Sequence, residues 1–237
     1  MSGFLKMSAS YTVRVRYGDQ ELDVREFVLP RGYMVAQALE SIQASPSANG
    51  LVWDCWDWVC RQVQYPPLPL ATADYHREEC FLRGRSAPGA GFMPIKRSTK
   101  WEFWQFPFET IDHGLGDCDD VSILTCSLLR NVLPADEVHV AVGKVDPYYY
   151  HAWVSVIEDG QRYILETTLD QAFPGEPCQV LEANPYQPLL YFNDEQAFEA
   201  YEGAFQELKQ ALPQEEIKLR LIREIYQVAR LRRAKGD

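Results

Sequence analysis

The chain has 237 residues, is 46% hydrophobic and 24% charged, and carries a net charge of -11. That is a globular balance, enough for one large domain or one domain with an appendage. It argues against nucleic acid as a partner, because phosphate binding needs clustered Lys and Arg, and no apolar run is long enough for a membrane-spanning helix. The opening MSGFLKMSAS has no apolar stretch of signal-peptide length, so the expected location is cytoplasmic. Six cysteines in such a chain argue against a disulfide framework.

Tyr11, Val13, Val15 and Tyr17 alternate with polar neighbours, which predicts a half-buried strand. Gly18-Asp19 marks a turn, and Leu22 to Leu29 reads as the return strand. Met34, Val35, Ala38, Leu39 and Ile42 then follow at helical spacing. A second helix face is written by Val52, Cys55, Trp56, Val59, Cys60 and Val63. Cys55 and Cys60 lie on that face and read as small buried hydrophobes. A zinc site from Cys55, Cys60, His76 and Cys80 lacks the usual ligand spacing. Residues 66–100 are rich in Pro, Gly, Ser and charge, and lead straight into the stretch Trp104 to Asp120.

From Val121 to Val132 the pattern is apolar nearly all round, which predicts a central buried helix starting at Cys118. A thiol is most easily ionised at a helix start, where unpaired N–H groups and the dipole favour the anion. Val138 to Val145 reads as a strand and Asp146 to Tyr150 as a loop. His151 to Ile157 and Arg162 to Thr167 read as a hairpin around Asp159-Gly160. That turn sets Glu158 opposite Gln161 and His151 opposite Thr168. Glu166 then falls on the His151 face, one diagonal step away and within reach of a long side chain. Asp170 is the alternative acid. Cysteine before a buried helix, with histidine and acid on one hairpin face, is the pattern of a cysteine–histidine–carboxylate site.

Gly116-Asp117-Cys118-Asp119-Asp120 resembles the GDCxD cysteine motif of the transglutaminase-like superfamily, and His151-Ala152-Trp153 resembles its HAW motif. Trp104 through Glu109, with Pro107, is similar to the W-x-x-P-x-E approach of its bacterial members. Trp58-Val59 to Tyr65 is similar to their upstream helix-then-Tyr segment. The resemblance covers roughly residues 30–170. It implies an α+β, papain-like fold in which a central helix bearing the nucleophile packs on an antiparallel sheet bearing histidine and acid. It implies Cys118 as nucleophile, His151 as general base and acid, and Glu166 as the orienting acid, where many members have Asp. The Cys118 backbone N–H and either Gln105 or the Trp104 indole are the oxyanion candidates. Asp120 and Asp117 support the helix start. No metal or organic cofactor is needed. Trp101, Tyr150 and Trp153 are candidates for a substrate groove; Trp101 also belongs to an aromatic cluster with Phe103, Trp104, Phe106 and Phe108, and His113 is a further site candidate.

The function so read is acyl transfer through a Cys118 thioester, with hydrolysis of a peptide, isopeptide or other amide bond first. Transfer to an amine and a non-catalytic peptide- or protein-binding role are the alternatives. Residues 1–192 form the catalytic domain in this reading, including the N-terminal hairpin. From Asn193 the residues Phe198, Tyr201, Phe205, Leu208 and Leu212, then Ile217 to Val228, predict an appended helical hairpin over 193–237. It is the expected surface for a second copy or another protein partner. Residues 218–235 carry seven Lys or Arg and one Glu, which reads as a solvated helix face.

Overall fold

The computed structural model describes residues 11–15, 20–64, 104–145, 149–168 and 186–208. A two-stranded ladder pairs β1 (Thr12–Arg14) with β2 (Glu21–Asp23). Helices follow as α1 (Tyr33–Gln43), α2 (Leu51–Gln62), α3 (Pro107–His113) and α4 (Cys118–Leu129). The main sheet comprises β3 (Val138–Val145), β4 (Tyr149–Glu158), β5 (Gln161–Leu165), β6 (Tyr186–Phe192) and β7 (Ala197–Glu199). It is antiparallel, in the order β5-β4-β3-β6-β7. The class is α+β, as expected. No helix of the described residues is long and apolar enough to cross a membrane.

Helix α4 is the hub. It packs on β3 and β4 on one side and on α1, α2 and α3 on the others, and every residue from Asp120 to Leu129 is buried. Two of its polar members, Thr125 and Ser127, are satisfied locally. The hydroxyls of Thr125 and Ser127 donate to the carbonyls of Val121 and Ile123 at 2.8 Å, and Ser127 Oγ also accepts the Leu29 N–H at 3.0 Å. The alternation of β4 sends Ala152, Val154 and Val156 into the core around α4. Trp153 joins a second cluster with Ala141, Val145, Ile164 and Tyr186.

The hairpin register is the expected one. Glu158 faces Gln161 and Val154 faces Leu165. Asp159 and Gly160 adopt φ of 53° and 74°, the left-handed pair of a two-residue turn that matches strand twist.

Three expectations are corrected. The return strand over Leu22 to Leu29 stops at Asp23, and Val24–Phe27 is a 3-10 helix. The Asp23 carboxylate accepts the Arg25 N–H at 3.0 Å, and Glu26 reaches back to the Asp23 N–H at 3.2 Å; these two bonds outcompete ladder pairing. Tyr149 and Tyr150, expected in a loop, open β4. Residues 193–208, expected to begin a helical appendage, belong to the sheet domain. Buried Asn193 accepts the N–H groups of Glu195 and Gln196 at 2.9 Å and donates to Ala135 and Val138 carbonyls. That side chain makes the turn between β6 and β7, so Phe198 lies on a strand and Tyr201 in an exposed turn. A short helical turn, 204–208, packs back through Phe205 against Tyr11, with ring centroids 4.2 Å apart. The rest of the expected hairpin, with its partner surface, lies outside the described residues.

β6 meets β3 with a register shift between Val142 and Gly143, where Pro188 stands opposite Gly143. Proline in a sheet is tolerated at such an irregularity because it has no ladder N–H to offer. The approach is close enough that a Cβ on Gly143 would lie 2.2 Å from the Gln187 carbonyl oxygen and 2.7 Å from Pro188 Cα. Both are backbone atoms and cannot rotate away. Gly143→Ala is therefore expected to cost about 3 kcal/mol or more, read as a lowered denaturation midpoint. A midpoint equal to wild type would mean that β6 can slide off β3 without loss.

Candidate active site

The cysteine segment is held on both sides of Cys118. Upstream, Gln64 pairs with Leu115 in an isolated bridge, its N–H donating to Gly114 O at 2.8 Å and its carbonyl accepting from Gly116 N at 3.2 Å. α3 ends at Gly114 with a left-handed φ of 61°. Gly116 is needed for room: a Cβ there would meet Asp120 Cβ at 2.9 Å and Thr110 Cγ2 at 3.2 Å. Downstream, the buried Asp120 carboxylate is the cap of α4. It accepts the Gln105 backbone N–H at 2.7 Å, the Gln105 side-chain amide, and the Asp117 N–H at 3.3 Å. The Gln105 amide nitrogen also donates to Leu115 O at 3.3 Å, so its two bonds reach residues on either side of Cys118. In this arrangement Gln105 braces the cysteine segment.

The W-x-x-P-x-E segment has a local physical meaning. Trp104 is buried in the core, stacked on Phe192 at 5.3 Å and edge-on to Phe27 at 5.5 Å. Pro107 occupies the first turn of α3, where its missing N–H costs nothing. Glu109 folds back to accept the Phe106 N–H at 2.9 Å.

On the sheet, His151 and Glu166 form a buried pair. His151 Nε2 lies 3.0 and 2.9 Å from the two Glu166 oxygens. Glu166 sits just beyond the end of β5 and is 8% exposed. Thr168 gives its backbone N–H and its hydroxyl to Oε1 at 3.0 Å each, and the Tyr186 hydroxyl donates to Oε2 at 2.8 Å. Burial by itself raises a carboxyl pKa. Here the facing His151 charge and the hydrogen bonds from His151, Thr168 and Tyr186 overcome it and bring Glu166 to about 2. From α2, the Trp56 indole N–H holds the Glu166 carbonyl at 2.9 Å. Thr168 and Tyr186 had no sequence signal as site residues; only the strand order brings Tyr186 here.

Cys118 is half-buried at the first position of α4. Its sulfur is 3.9 Å from an Asp119 oxygen. Two effects oppose one another there: the helix start favours a thiolate, and adjacent carboxylates disfavour it. Asp117, Cys118 and Asp119 bring ligand-type atoms within 4.8 Å of one another, a grouping that follows from their adjacency in sequence. No disulfide joins the four described cysteines. Burial pushes the Cys55 thiol up to about 12 and Cys126 higher still, so both stay protonated at neutral pH. Trp153 is 2% exposed, edge-on to Tyr186 at 4.9 Å, and is packing instead of groove wall. Tyr150 is partly buried, with Lys144 Nζ 5.7 Å from its ring centroid. His113 closes α3. Trp101, His76, Cys80 and Asp170 lie outside the described residues.

No family model matches this sequence, and no curated protein matches it. Among solved structures, the chain is similar to Legionella pneumophila LapG after EGTA treatment, at 17% identity and a TM-score of 0.37, over 71% of this chain and 87% of that one. A second LapG structure gives 16% and 0.36, over 77% and 97%. A protein described as a TGase gives 16% and 0.36, over 63% of this chain and 34% of its own. Overlaps this loose describe what the chain is similar to and decide nothing about its chemistry.

Glu166 gives the pair a pH signature. Its folded pKa lies below the ordinary 4.5, at about 2. The stability it contributes is therefore complete above about 4.5 and is lost as pH falls toward about 2. Glu166→Gln removes the ionisation. The stability gap between the variants should be largest at neutral pH, up to about 3 kcal/mol, and close on acidification. A gap independent of pH would mean that Glu166 is not held ionised.

Proposed function

We propose that this chain is a cysteine-dependent acyl-transfer enzyme working through a thioester at Cys118, with a peptide or protein amide as substrate and water as the first-choice acceptor. The observation that carries the reading is the buried His151–Glu166 pair, because an ionised carboxylate on one imidazole nitrogen is what fixes the tautomer and plane of a catalytic histidine. The motif resemblance supplies the nucleophile at the start of the helix packed against the strand that carries His151.

Since Nε2 is bound to Glu166, Nδ1 is the nitrogen that serves the thiol. Nδ1 takes the S–H proton, and the thiolate attacks the amide carbonyl to form a C–S bond. The C–N bond then breaks, with the Nδ1 proton passing to the departing amine. Water, deprotonated at Nδ1, attacks the thioester and releases the acid and the thiol. An amine in place of water gives transfer in place of hydrolysis, with the same residues. The Cys118 N–H, at the start of α4, is the proposed oxyanion donor, with the Trp104 indole as its candidate companion.

The test is site-resolved alkylation with iodoacetamide against pH, in wild type and His151→Ala. Cys118 should react quickly well below pH 8, and His151→Ala should slow it by about tenfold or more at pH 6. Cys55 and Cys126 should stay unmodified in the folded protein. If Cys118 titrates as an ordinary thiol in both proteins, there is no thiolate–imidazolium pair, and the fold serves as a binding module.

A further inference from the structure

We infer that Tyr186 is a positioning residue for the His151–Glu166 pair, and that the tryptophan of the HAW segment exists to hold Tyr186 in place. The inference deepens the function proposed above, and its kinetic consequence rests on that reading.

Glu166 is poorly constrained by its own backbone. It lies past the last ladder pair of β5 and carries three side-chain rotors, one more than an aspartate. The Thr168 donors belong to the same short loop and move with it. Trp56 pins the backbone carbonyl but not the carboxylate. Among the described residues, the carboxylate partners from outside that loop are His151 itself and Tyr186. Tyr186 comes from β6, on the far side of β3 from β4, where it pairs with Val145. It is 7% exposed, and its ring is set edge-on against Trp153, with centroids 4.9 Å apart and planes at 65°. Trp153 in turn lies near-parallel to His151, two residues back on β4, at 6.3 Å and 27°. Trp153 thus touches both the ring that holds the acid and the ring the acid holds. With Tyr186 on Oε2 and Thr168 on Oε1, neither oxygen can swing away from Nε2 without losing a second bond.

Among the described residues, His151 on β4 and Tyr186 on β6 are titratable groups that face Glu166. α2 offers the Trp56 indole and, beside the Thr167 carbonyl at 4.0 Å, the Cys60 thiol.

Tyr186→Phe removes the hydroxyl and keeps the ring against Trp153. Tyr191→Phe, on the same strand and stacked on Phe198, is the control. Two readouts are compared with wild type: the pH titration of His151 by NMR on histidine-labelled protein, assigned with His151→Gln, and the iodoacetamide rate at Cys118. Tyr186→Phe should move the His151 titration midpoint and lower the Cys118 rate at pH 6 by about tenfold, as expected for loss of one hydrogen bond to a charged group. Tyr191→Phe should change neither. If Tyr186→Phe matches Tyr191→Phe in both readouts, Tyr186 is packing only and the inference is overturned. If His151→Ala leaves the Cys118 rate untouched, the acyl-transfer proposal falls, and the His151 titration still decides whether Tyr186 positions the pair.

Discussion

A carboxylate out of water stays ionised only where charge and donors replace its hydration. Glu166 is such a group: among the described residues, one histidine and three further donors converge on two oxygens. Removing any partner leaves a buried anion short of a bond, which costs more than the bond itself is worth. The surrounding structure is arranged to prevent that. The Asp159-Gly160 turn fixes the register that brings His151 within reach, and the close approach of β6 to Gly143 delivers Tyr186. α2 supplies the indole that anchors the backbone.

The Cys118 side of the site follows the same logic with a second buried acid. Asp120 gathers N–H groups from Asp117 and Gln105 and so ties α4 to the segment entering α3. Gln105 completes the circuit at Leu115. The two acids have opposite geometric duties. Asp120 closes a local loop around the cysteine, whereas Glu166 is held by strands far apart in the chain.

Legibility in the sequence tracked the range of the interactions. The period-3.6 pattern of α2 and α4 and the Asp-Gly turn are local signals, and the elements they predict are present. The diagonal placement of Glu166 relative to His151 followed from the turn alone. Capping chemistry was harder to see: Asp23 and Glu26 turn a strand-like stretch into a 3-10 helix, and Asn193 breaks a helix-like one into a turn and a strand. In both places a polar side chain bonded to nearby backbone overrode an apolar pattern. The place of Gln105 before the cysteine suggests an oxyanion donor, and its bonds to Asp120 and Leu115 add a bracing role that no local signal announces. Tyr186 was invisible, since nothing local connects it to Glu166.

The Glu166 cluster also has a history in time. His151 is 15 residues from Glu166, Tyr186 is 20 and Trp56 is 110. Contacts of long sequence separation close late, because loop entropy must be spent before they form. A chain emerging during synthesis makes the β4–β5 hairpin first and docks β6 afterwards. The acid is therefore fully clamped only once β6 has joined the sheet.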